Sequence, residues 1–158
     1  MIRLGRLTDY GIVLMAHLAD AGAGPHAARD LAAETQLPLP AVSKLLKTLA
    51  REGLLVSSRG AKGGYQLARP ATEITVPEMI EALEGPIALT DCTLHEGACS
   101  QESSCHVRTP WQHINQAVHD ALAAIHLADL AGSSRDLIPL ASLGVDTTGI
   151  DTTPSSSN

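Results

Sequence analysis

Apolar residues recur along the first half of the chain at steps of three and four, and the pattern predicts a run of short helices. Tyr10, Val13, Leu14, His17 and Leu18 follow Thr8-Asp9, a helix-opening pair, and the run ends at Gly22-Ala23-Gly24-Pro25. A second short helix fits residues 27–35, with Ala28, Leu31 and Ala32 on one face. After the break Q-L-P-L-P, a third helix is expected from Pro40, its stripe made by Val42, Leu45, Leu46 and Leu49. Proline suits a first helical turn and Gly53 suits a C-terminal cap. The period then changes. L-L-V-S-S reads as a strand, R-G-A-K-G-G as a turn and Y-Q-L-A as a returning strand. Thr75 caps a fourth helix over 76–84, with Gly85-Pro86 beyond its end.

Residues 86–108 show no regular period. Thr109-Pro110-Trp111-Gln112 then reads as a capping box that launches a long helix to about residue 130. Trp111, Ile114, Val118, Leu122 and Ile125 form a narrow seam of coiled-coil type. So long a helix at the end of a small domain predicts a two-fold partner. The expected fold class is mainly α: a winged helix-turn-helix domain over 1–85, a cysteine loop over 86–108, a long C-terminal dimerisation helix over 109–131 and a flexible tail over 132–158.

Composition changes this picture little. Aromatics make up 2% of the chain, so its core must come from Leu, Ile, Val and Ala, which suits packed helices. No apolar run is long enough for a membrane span and no signal-peptide h-region opens the chain, so a cytoplasmic protein without membrane contact is expected.

Charge changes it more. The net charge of −6 conceals a split: residues 1–70 hold nine Lys/Arg against five acids, a net of +4, and the remainder carries −10. A basic half joined to an acidic half is expected when one half meets phosphates. The candidate contacts to a double-stranded DNA operator are Ser43, Lys44, Lys47 and Thr48 on the third helix, with Arg59 and Lys62 at the hairpin tip. The tip glycines are expected to supply positive φ and a close approach to the phosphate backbone.

Candidate chemistry is confined to Cys92, Cys99 and Cys105, the three cysteines of the chain, separated by six and then five residues. An odd number cannot be fully paired within one chain. Three thiolates suit an iron–sulfur cluster, or zinc with His106 or His95 as the fourth donor. His17, His26, His113, His119 and His126 read as surface or half-buried side chains. No acid–base constellation or phosphate-cradling loop argues for an enzyme or a small-molecule substrate.

L-T-D-Y-G, A-V-S-K-L-L-K-T-L, R-G-A-K-G-G-Y-Q-L-A-R-P, E-A-L-E-G-P-I-A-L-T-D-C and the three-cysteine loop ahead of Trp111 together resemble the winged-helix regulators that include IscR and NsrR. Within that family they are most similar to regulators of SUF iron–sulfur cluster assembly. The resemblance covers about residues 1–131. It implies a homodimeric transcription factor holding a [2Fe–2S] or [4Fe–4S] cluster on Cys92, Cys99 and Cys105. The IscR branch places a histidine three positions after its last cysteine, where this chain has Arg108, which is no metal ligand. The NsrR branch uses an aspartate near the start of the first helix, reaching across the dimer, and Asp9 matches it; His106 lies out of register. The resemblance thus implies a cluster-sensing regulator or repressor of cluster-assembly genes. Its alternatives are a nitric-oxide or redox sensor of the NsrR kind and a zinc-stabilised or thiol-only DNA-binding module without sensing.

Overall fold

The structure, a computed structural model, describes residues 4–94, 97–100 and 104–132. His95 and the tail beyond Gly132 lie outside the described residues. Helix α1, Arg6–Asp20, buries Thr8, Gly11, Leu14, Met15 and Leu18 on one stripe. It starts before the expected Thr8-Asp9 pair because its cap is tertiary. Gly5 offers no capping side chain, and the Glu84 carboxylate accepts both the Gly5 N–H and the Thr8 hydroxyl. A negative group there also favours the helix dipole. Three residues after Thr8, a Cβ on Gly11 would lie 2.5 Å from Leu83 Cδ1, so α1 crosses its neighbour closely.

Helices α2, Ala28–Thr35, and α3, Leu39–Arg51, flank a turn in which Gln36 adopts a left-handed φ of 57°. Pro40 lies in the first turn of α3 and Val42, Leu45, Leu46 and Leu49 are buried, as expected. The helix ends in a Schellman motif at Gly53 (φ 79°): Leu54 N–H donates to the Leu49 carbonyl at 2.9 Å and Gly53 N–H to Ala50 at 3.2 Å. Strands β1, Leu55–Ser58, and β2, Gly64–Leu67, pair antiparallel, Leu55 opposite Leu67 and Ser58 opposite Gly64.

Helix α4, Val76–Glu84, begins with a capping box between Thr75 and Glu78. Arg69 Nη2 also donates to Glu78 at 2.7 Å. Burial pushes the Glu78 carboxyl up. The bonds from Thr75 N–H, Arg69 and the Thr75 hydroxyl, with the charge of Arg69, outweigh burial and hold the carboxyl below its usual value. A depressed carboxylate contributes stability above its unfolded pKa and loses it as pH falls through the folded value. Melting temperatures between pH 6 and 3 should therefore fall less steeply for Glu78→Gln than for the natural chain; parallel curves would contradict this.

Beyond α4 the structure departs from the expected pattern. The cysteine loop contains a helical turn, α5, Asp91–Leu94. Helix α6, Arg108–Ala123, starts at Arg108 with Val107 at its cap and no side-chain cap, so the Thr109 box does not form. The long helix expected over 109–131 is two helices, because α6 stops and α7 occupies Leu127–Ala131. The physical reason is backbone pairing: Val76 N–H donates to the Ile125 carbonyl at 3.0 Å and Leu127 N–H to Ile74 at 2.8 Å. Residues 125–127 thus satisfy a neighbouring segment instead of continuing a helix. The Asp129 carboxylate then accepts the His126 N–H at 2.8 Å, capping α7.

The apolar centre is aliphatic. Leu14, Met15, Leu31, Leu46, Leu49, Ile74, Met79 and Leu127 are fully buried, and Tyr10 and Tyr65 only flank them. No helix among the described residues is long and apolar enough to cross a membrane.

Candidate nucleic-acid interface and thiol loop

Because α3 commits one face to the core, its other face is defined by elimination. Ser43, Lys44, Lys47 and Thr48 lie within an arc of about 140° at 100° per residue. Lys44 and Lys47 are exposed, and Ser43 and Thr48 are half-buried at the edges of the core stripe. Arg51 and Arg69 are engaged within the fold, Arg51 Nε with Glu52 at 2.9 Å and Arg69 with Glu78 and the Glu73 carbonyl. By contrast Lys44, Lys47, Arg59 and Lys62, together with Arg6 and Arg29, form no ion pair with another described residue. Their charge is available to a polyanion.

The hairpin projects Arg59, Ala61 and Lys62 into solvent. Gly60, at φ 107°, turns the chain, and Gly63 N–H closes the tip on the Gly60 carbonyl at 2.9 Å. Gly63 and Gly64 have a different role from the one expected of tip glycines. A Cβ on Gly63 would meet the Ser58 carbonyl at 2.4 Å, and one on Gly64 the His26 carbonyl at 2.4 Å. The hairpin is anchored there to the segment before α2, where His26 and Tyr65 exchange two backbone hydrogen bonds of 2.9 Å. This bridge leaves no periodic trace in the sequence.

The three thiols are free. Cys92, on α5, is buried, and its Sγ lies 3.2 Å from Thr90 Oγ1. Cys99 and Cys105 are half-buried, and His106 is exposed. Among the described residues no three His, Cys, Asp or Glu side chains gather closely enough to hold a metal ion. Asp9 is exposed in the first turn of α1, a helix that packs on α7, α3 and α4, whereas α5 packs on α6. The donor chemistry fits a thiophilic cluster, but within one subunit the three thiols, with or without Asp9, do not form a metal-binding group.

The seam expected along the last helix divides in two. Leu122 and Ile125 pack against the core, while Trp111 (37% exposed) and Ile114 (46%) face outward. None of the sixteen residues of α6 is buried, and Leu7 and Val13 of α1 are also exposed.

The Rrf2 family model, described as an iron-dependent transcriptional regulator, matches residues 4–133. The Rrf2 protein of Nitratidesulfovibrio vulgaris is 31% identical over 130 residues, covering 82% of this chain and 87% of that protein. The structure of CymR, the global cysteine regulator of B. subtilis, superposes with a TM-score of 0.65 at 32% identity, covering 83% of this chain and 97% of that one. T. potens IscR superposes with a TM-score of 0.60 at 30% identity, covering 82% and 85%. The fold is a winged helix of the kind these regulators share, and the chain is a DNA-binding transcriptional regulator, not an enzyme. On the match across residues 4–133 and the likeness of these relatives, this protein belongs to the Rrf2 family.

Proposed function

We propose that the protein is a homodimeric regulator whose operator affinity follows the occupancy of an iron–sulfur cluster, with cluster-assembly (SUF) genes as its targets. Cys92, Cys99 and Cys105 hold the cluster and Asp9 of the second subunit is the fourth ligand. The principal support is the set of three free thiols on one loop between α4 and α6. When bound, the cluster supplies a redox-labile centre that oxidants or nitric oxide can degrade. The thiolates anchor the loop, and Asp9 ties it to α1 of the other subunit. The uncovered face of α6 around Trp111 and Ile114 provides the surface for that second copy. The tie sets the separation of the two α3 helices, whose half-sites must lie about one DNA turn apart.

In this reading Ser43, Lys44, Lys47 and Thr48 enter the major groove, and Arg59 and Lys62 meet phosphates. Lys62→Ala should weaken binding to all sequences alike and flatten the plot of log K against log salt by about one unit. A loss confined to one operator base would make Lys62 a base reader instead.

The cluster reading is tested by iron and sulfide content, the visible spectrum after anaerobic purification, and gel shifts of loaded and cluster-free protein. Nitric oxide titration of the loaded form distinguishes a nitric-oxide sensor from a reporter of cluster supply. Equal operator affinity in both forms would sink the mechanism. The alternative of another class is a zinc-stabilised or thiol-only DNA-binding module without sensing. It would purify without iron and sulfide and keep the same DNA affinity whatever the state of its thiols.

A further inference from the structure

Helix α6 buries none of its residues, yet one polar side chain on it is committed to the segment entering the thiol loop. The Asn115 amide is half-buried. Its Oδ1 accepts the Leu89 N–H at 3.0 Å, and its Nδ2 donates to the Ile87 carbonyl at 3.1 Å. In extended backbone a carbonyl and the N–H two residues later point the same way, so this one amide serves both as a neighbouring strand would. The turn that carries Cys92 is then tied by Thr90 and Thr93. Thr90 N–H donates to the Thr93 hydroxyl at 3.3 Å, and that hydroxyl donates to the Thr90 carbonyl at 2.7 Å. Thr93 N–H reaches the same carbonyl at 3.0 Å, and Thr90 Oγ1 stands against Cys92 Sγ.

We propose that Asn115 is the positioning residue of the thiol loop, holding the first ligand thiol, Cys92, against helix α6. The ligand role of Cys92 rests on the cluster reading above; its placement by Asn115 does not. Removing the amide releases both backbone groups and lets the 86–92 segment open locally, exposing a thiol that is otherwise buried. An aspartate keeps the acceptor for Leu89 but sets a carboxylate oxygen against the Ile87 carbonyl, so its effect should be intermediate.

The test labels the cluster-free full-length chain with N-ethylmaleimide and follows each cysteine by mass spectrometry. In Asn115→Leu, Cys92 should react about fivefold faster or more, the effect of losing roughly one net hydrogen bond, with Cys99 unchanged. Asn115→Asp should fall between. Gln116→Leu, on the next residue, whose side chain among the described residues bonds within α6 to Asp120, should leave the rates unaltered. After loading with iron and sulfide, visible absorbance should also decay faster in air for Asn115→Leu. An unchanged Cys92 rate overturns the proposal. So does equal acceleration at all three cysteines with a lowered urea midpoint, which would mean general loosening. If the Cys92 rate rises as expected but the natural chain takes up no iron or sulfide, the cluster reading fails and the placement by Asn115 stands.

Discussion

Gly64→Ala is expected to lower the unfolding free energy by about 3 kcal/mol and to disable the wing in whatever protein still folds. The added methyl would lie 2.4 Å from the His26 carbonyl oxygen, 2.5 Å from its carbon and 2.9 Å from the His26 nitrogen. All three are backbone atoms, so no rotamer change relieves the clash. The segment carrying His26 must separate from β2, and both 2.9 Å hydrogen bonds between His26 and Tyr65 are lost. Each is worth about 0.5–1.5 kcal/mol net, and steric displacement adds to that. Urea denaturation followed by circular dichroism measures the effect, and a midpoint equal to that of the natural chain would refute it. Operator affinity should fall as well, since the position of Arg59 and Lys62 depends on this anchor.

R-G-A-K-G-G is legible as a turn from its composition, and β1 and β2 follow within a residue of the expected strands. What each glycine does is not legible. Gly60 alone of the three has positive φ; Gly63 and Gly64 are required by atoms of the chain itself. His26 lies 38 positions before Gly64, and no local rule connects them.

Leu127→Ala should cost about 3 kcal/mol and lower the melting temperature by about 10 °C. Leu127 is fully buried, and α7 packs on α1 and on the 3-10 turn Ala71–Glu73. Its backbone N–H also bridges to Ile74, so the site cannot collapse freely around the cavity left behind. Ile114→Ala on α6 is the contrast. That side chain is 46% exposed, and its loss should change the stability of an isolated subunit by no more than about 0.5 kcal/mol. Equal effects from the two substitutions would mean that α7 does not belong to the core of the winged domain.

The division between α6 and α7 explains why the seam was only half legible. Apolar spacing cannot tell a helical face turned to a partner from residues that leave the helix to pair with another segment. Trp111 and Ile114 lie on the uncovered face of α6, and Ile125 lies in the bridge to Val76. The candidate site divides in the same way. The free thiols and the basic faces of α3 and the wing follow from residue types and spacing. The Asn115 clamp does not, because an asparagine on a helix is ordinarily a surface residue.

The core stripes of α2 and α3, the hairpin, the basic half and the three thiols are legible in the residues alone, whereas of the stripe expected on α1 only Leu14 and Leu18 are buried and Val13 is exposed. Each legible feature is a matter of period or composition over a few residues. Tertiary structure decided where α1 begins, through Glu84; where α6 ends, through Ile74 and Val76; and how Cys92 is held, through Asn115. Each of these depends on satisfying a backbone or polar group with a partner 26 or more residues away, and such a partner contributes nothing to the local pattern.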